Sequence, residues 1–113
     1  MKEPINKGTD EEFIPRIRWK EIDHYIPFKI SITDWKGLKI VKYGRVDFLL
    51  LPSEMQFNQK KIELCVPYGT FIRRLQELPV NEQRAIIKGN PFELVKTYMK
   101  DNFGMRIQIL NNS

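Results

Sequence analysis

"GLKIVKYGRVDFLLL", Gly37 to Leu51, is the stretch on which the fold turns. Taken at the two-residue period of a strand, Leu38, Ile40, Val46, Phe48 and Leu50 fall on one side, interrupted by Lys42 and by the gap at Gly44. The other side carries Lys39, Val41, Tyr43, Arg45, Asp47, Leu49 and Leu51. One long strand is therefore expected, with Phe48 in the buried phase. An internal glycine marks a bulge, a bend or a close approach of another backbone. The second face mixes cations with an aromatic ring, a combination that simple solvation does not require, so it raises the question of a ligand.

The flanking segments supply the rest of a sheet. Phe28, Ile30 and Ile32 alternate with Lys29, Ser31 and Thr33, which predicts a strand. "TDWKG" provides Asp34 and Gly37 for a turn. A loop is expected from Pro52 to Lys60, and "KIELCVPY" then alternates Ile62, Leu64 and Val66 against Glu63 and Cys65 in a further strand. Ahead of these, "IPRIRWKEIDHYIPF" fits either a short helix or an extended lead-in that Pro27 terminates. Trp19 is read as anchoring that lead-in against the core.

The pattern changes after Tyr68. Thr70 is a candidate N-cap for a helix carrying Phe71, Ile72, Leu75 and Leu78 and stopped by Pro79. "NEQRAIIKG" predicts a second short helix that ends at Gly89. "NPFELVKTYMKDNFG" predicts a third, with Asn90 as cap and Phe92, Val95, Tyr98 and Met99 as its buried stripe. "MRIQIL" alternates Met105, Ile107 and Ile109 against Arg106 and Gln108 and closes the chain as a strand. Strands followed by helices argue for a β-rich α+β domain. The expected form is a small curved antiparallel sheet or a partly open OB-like barrel, with a helical insert before the last strand.

With 113 residues, 42% of them hydrophobic and 29% charged, the chain has the size and composition of one globular domain. Residues 1 to 12 read as a mobile polar tail and 13 to 113 as a single nucleic-acid-binding domain. The longest apolar run, Phe48 to Leu51, is far short of the roughly 18 residues of a membrane span, so no membrane association is expected. "MKEPINKGTDEEF" has no apolar signal region. With a single Cys65 excluding an intramolecular disulfide, a reduced cytoplasmic setting follows, the host cytoplasm if the chain is viral.

The net charge of +5 favours anionic partners. Lys29, Lys36, Lys39, Lys42 and Arg45 are interleaved with Phe28, Trp35, Tyr43 and Phe48. Cations that track phosphates and aromatic faces that stack on bases are what single-stranded nucleic acid requires. Lys60 and Lys61, at the entry to the next strand, extend the same set. "FKISITDWKGLKIVKYGRVDFLLL" followed by "KKIELCVPYGTFIRRLQEL", Phe28 to Leu78, resembles the small OB-fold single-stranded-DNA-binding proteins of phages, archaeal viruses and their relatives. That resemblance implies ligand-facing roles for Trp35, Lys39, Lys42, Tyr43 and Arg45 on a curved sheet, and a part in DNA replication. The long helical segment before "MRIQIL" departs from the family and puts the closure of a barrel in doubt.

The expected function is non-enzymatic binding of single-stranded nucleic acid, DNA rather than RNA, with low sequence specificity. A homo-oligomer or a replication protein is a possible further partner. The alternative is a small protein-interaction or structural module in which Trp35, Tyr43, Met55 and Phe57 meet another protein or a second copy. Catalysis finds little to stand on. His24 has no marked nucleophile nearby in sequence, and phosphate-cradling glycine motifs are missing. Asp47 and Glu63 resemble the carboxylates of metal-dependent nucleases, but Cys65 stands where that pattern expects a lysine. No cofactor and no metal is therefore expected.

Overall fold

The computed structural model describes residues 14–55, 58–98 and 104–110. The expected tail at 1 to 12 lies outside the described residues, as do Phe57 and Met99. In chain order the elements are β1 (Arg16–Arg18), β2 (Phe28–Ile30), β3 (Ile40–Tyr43), β4 (Val46–Met55), β5 (Lys61–Pro67), α1 (Tyr68–Gln76), α2 (Val80–Ile87), β6 (Phe92–Lys96) and β7 (Met105–Ile109). Single 3-10 turns form at Trp19–Glu21 and Trp35–Gly37.

The stretch expected as one strand is a hairpin. Tyr43 pairs with Val46 across a two-residue turn in which Gly44 takes φ 65°. Glycine at the first central position is what such a turn requires, because a Cβ is disfavoured there. The turn resets the alternation. Ile40 and Lys42 share a face with Asp47 and Leu49, while Val41 and Tyr43 share the other with Val46 and Phe48. Leu49 and Leu51, expected outside, thereby point into the core, and Phe48 is half-buried on the opposite face.

β4 also continues through the expected loop as far as Met55. Its Leu50 N–H donates to Lys39 O at 2.9 Å, so even-numbered residues turn their backbone groups away from β5. Pro52 lacks an N–H on that side. It stands where β3 has ended and β2, opposite Ser53 to Met55, has just begun, so no ladder bond is lost.

The sheet among the described residues has seven strands in the order β1-β5-β4-β2-β6-β7, with β3 paired to β4 beside β2. β1 runs parallel to β5, and every other pair is antiparallel. This is a β-rich α+β domain. Two of its expected details are corrected: the sheet is mixed rather than antiparallel, and it is not closed into a barrel. Two strands, not one, follow the helical insert.

The segment expected to be a third helix holds β6. Phe92 and Leu94 meet Ile30 and Phe28 of β2 on one side, and Ile109 and Ile107 of β7 on the other. A strand edge waiting on each side outweighs a helical spacing that rested on Phe92, Val95 and Tyr98, and Tyr98 is in fact exposed. α1 begins at Tyr68 after Pro67, so Thr70 lies inside its first turn rather than at its cap. α2 ends as expected. Gly89, at φ 109°, donates to Ile86 O and Asn90 donates to Ala85 O, the paired bonds of a glycine-terminated helix.

The inner face of the sheet packs Leu49, Leu51, Ile62, Leu64, Phe28, Phe92 and Leu94 against Phe71 and Leu75 of α1, Ile86 of α2, and Trp19. Trp19 is buried, as expected of an anchor, and its Nε1 has no hydrogen-bond partner among the described residues. Leu51→Ala should cost about 2–5 kcal/mol in urea unfolding because it opens a cavity at a fully buried site. Phe48→Ala should cost about 1–2 kcal/mol, in keeping with partial burial and one ring contact. Equal losses would contradict this assignment of the faces.

Candidate nucleic-acid interface

The outer face is the one that α1 and α2 leave open. Along β4 it presents Val46, Phe48, Leu50, Pro52 and Glu54, flanked by Glu63 and Cys65 of β5 and by Tyr43 of β3. β1 adds Arg16 opposite Glu63 and Arg18 opposite Cys65. Two extended cations are thus brought over the "YG" hairpin from a segment some 25 residues away in sequence.

Tyr43 is the centre of this group. The Arg18 guanidinium lies over its ring, 4.1 Å from the centroid, and Phe48 meets it edge-on at 5.5 Å. Arg16 donates from Nε to Glu63 Oε1 at 3.0 Å. The Tyr43 hydroxyl and then Glu63 favour the charged guanidinium, raising an already high Arg16 pKa. Among the described residues Arg18 has a ring, not a carboxylate, against its charge. Its backbone N–H is fixed separately by Glu21 Oε1 at 2.9 Å.

An open trough of about 550 Å³ lies along the outer face and meets this group at Glu63, the partner of Arg16. Leu50 and Pro52 form its floor, Ile14 and Glu63 one wall, and Thr33 and Lys39 the other. A smaller hollow of about 230 Å³ continues it past Ser31 to Lys29, Glu54 and Lys61. The fork at Pro52 is what makes the room, because β3 and β2 share one edge of β4 without meeting.

The expected site residues divide over this geometry. Tyr43, Lys39, Lys29 and Lys61 lie on the outer side, and Arg45 is exposed in the hairpin turn. Lys29 stands between Glu54 and Glu93 in register, and Lys61 stands opposite Glu54, so both cations face carboxylates across the sheet. Lys36 and Lys60 are exposed at the Trp35–Gly37 turn and just ahead of β5. Lys42 is on the other side of the hairpin, paired with Asp47 at 3.1 Å. Trp35 is also away from the group: its Nε1 donates to Ile87 O at 3.1 Å and its ring stacks on Phe71 at 6.4 Å.

Arg16 and Arg18 are the members that sequence reasoning missed. Their signal was the Arg-Ile-Arg alternation at 16 to 18, which becomes legible only once that segment is known to be extended. Met55 and Trp35, both partly buried, pack against the core. Asp47 and Glu63 lie on opposite faces of the sheet and do not converge. Among the described residues, no three of His, Cys, Asp and Glu are grouped to hold a metal ion. Nor is any described helix long and apolar enough to cross a membrane. Comparison with family models, with curated proteins and with solved structures finds no match in any of the three.

Cys65 lies beneath Arg16, Arg18 and Tyr43. Burial pushes its thiol pKa up, and the nearby Arg16 charge opposes the shift without cancelling it. The thiol is therefore protonated at neutral pH and slow to react. The neutral form is favoured on folding, so this stabilisation is fully present below the ordinary thiol pKa of about 8.5 and is lost as pH rises through the raised value. Chemical denaturation from pH 7 to 10 should show stability falling on the alkaline side, with the fall reduced in Cys65→Ala. An equally steep fall in that variant would assign the alkaline loss to other groups.

Proposed function

We propose that this protein binds single-stranded nucleic acid, DNA in preference to RNA, with little sequence preference and without catalysing a reaction on it. The observation that carries the proposal is the Arg16, Arg18, Tyr43 and Phe48 group beside an open trough, which it meets at Glu63, on the sheet face that α1 and α2 leave open. Cations beside aromatic rings match the two repeating features of the ligand, phosphates and base faces. The proposal includes the kinship with small OB-fold single-stranded-DNA-binding proteins, whose ligand also lies across a curved sheet.

Charge balance decides which cations matter. Lys29, Lys61 and Lys42 face carboxylates, so neutralisation of phosphates falls to Arg18, Lys39 and Arg45. Stacking falls to the Arg18–Tyr43 pair. Guanidinium is planar, and bases stack on it as they do on aromatic rings, so a base can extend the stack from the free side of Arg18. Contacts of this kind read no base edges, which accounts for the low sequence preference.

Titration of labelled oligonucleotides at two salt concentrations tests this. Binding should favour the single strand over the duplex and weaken steeply with salt. Arg18→Ala and Lys39→Ala should each lower the salt slope by up to about one. Tyr43→Ala should cost about 1–3 kcal/mol of binding with less change in slope, and Tyr43→Phe, which keeps the ring, should cost less. No binding at low salt would overturn the proposal, and magnesium-dependent shortening of the probe would replace it with a nuclease.

A further inference from the structure

A second set of rings gathers at the other end of the sheet. The His24 ring centroid lies 5.8 Å from that of Tyr98 and 6.3 Å from that of Tyr25. Tyr25 is 59% exposed and Tyr98 75%, so neither ring contributes to the core. Tyr25 nonetheless takes φ 64°, a left-handed conformation that a bulky residue rarely adopts. Its N–H donates to Lys96 O at 2.8 Å, and its hydroxyl accepts from the Tyr98 N–H at 3.5 Å. Lys96 is anchored in turn, its Nζ donating to Trp19 O at 3.1 Å and Ile22 O at 3.2 Å. Backbone strain is thus maintained by several tertiary bonds, and its product is an exposed ring. Strain kept for a surface residue points to function rather than to stability.

The position of these rings relates them to the trough. β2 begins at Phe28, which pairs with Met55 at the end of β4 and with Leu94 of β6. Tyr25 precedes that row and Tyr98 follows β6, so both lie beyond the end of the sheet that the Lys29, Glu54 and Lys61 hollow approaches. Arg18, the outer member of the first stack, stands in the row of Cys65 and Leu50, five residues of β4 from the Met55 row, roughly 17 Å at about 3.3 Å per residue.

We infer that His24, Tyr25 and Tyr98 form a second stacking site for nucleobases, so that one single strand runs along β4 and is engaged at both ends. This rests on the proposed nucleic-acid function and adds to it a binding site and a minimum ligand length. Exposed, mutually tilted rings offer π-faces that every base can use, in keeping with a ligand of unrestricted sequence. At the spacing of a stacked strand, about 3.4 Å per nucleotide, four nucleotides cover about 14 Å and reach only one of the two sites.

The test compares oligothymidylates of four and fifteen nucleotides on the full chain and on two variants, Tyr98→Ala and Tyr25→Gly. Tyr98→Ala removes a ring that packs against little. Tyr25→Gly removes the other and relieves the positive φ, so its melting temperature should hold or rise. In the parent, affinity should increase strongly from the short to the long probe, and each variant should lose about tenfold of that gain. A parent that binds both probes, with variants that keep the full gain, overturns the second site and leaves the first proposal standing. A parent that binds neither probe overturns the proposed function itself, and a fall in melting temperature for Tyr25→Gly would show that the strained ring serves the fold.

Discussion

Backbone groups in a strand point alternately to its two edges, and in β4 that alternation organises the molecule. Odd-numbered residues from Leu49 to Ser53 commit their N–H and C=O groups to β5, in an unbroken register from Phe48 opposite Pro67 to Glu54 opposite Lys61. Even-numbered residues serve the opposite edge, which is long enough for two partners, β3 near its start and β2 near its end. Between them Pro52 presents no donor, so the gap carries no unmet N–H. The sheet can therefore fork without a buried penalty, and the fork opens the outer face into a trough.

Burial is distributed unequally over the two faces as a consequence. The inner face is sealed by α1 and α2, and the stacked series of Trp35, Phe71 and Phe92, with ring centroids 6.4 and 6.3 Å apart, ties the turn before β3 to the helices and to β6. Gln83 reinforces the helix pair by donating from Nε2 to the carbonyls of Gln76 and Leu78, which α1 leaves open at its C-terminus. Trp35 is therefore spent on packing. On the outer face, Leu50 and Cys65 are buried in the middle of the sheet beneath longer neighbours, Arg16, Arg18 and Tyr43 among them. Such side chains cover apolar surface with their stems while their polar ends remain at the surface.

The electrostatics of the outer face follow from register as much as from composition. Lys61, Glu54, Lys29 and Glu93 occupy one row across four strands with alternating sign, so that region carries little net field. Near the hairpin the balance shifts: Arg16 is matched by Glu63, whereas Arg18 rests on Tyr43 and Arg45 is exposed in the turn. On the outer face the cations of the hairpin end therefore stand beside Tyr43 and Phe48, whereas those of the opposite end stand in a row of alternating sign.

The sequence by itself determined the fold class, the strand character around Phe28, Leu50 and Leu64, both helices of the insert, the Gly89 stop and the strand at Met105, because each is a local pattern of burial or turn chemistry. It also marked Tyr43, Lys39 and Arg45 as a group worth attention. Only the tertiary structure decided the rest. Alternation carried through Gly44 assigns the wrong face to everything after it, since a two-residue turn shifts the phase and one sequence does not distinguish a bulge from a turn. The apolar residues at 92 to 95 fit a helix or a strand equally well, and the free edges of β2 and β7 made the choice. Arg16 and Arg18 reach Tyr43 only because β1 pairs in parallel with β5, a long-range contact that leaves no trace in local periodicity. Faces and partners depend on which strands meet, and that is a property of the assembled sheet.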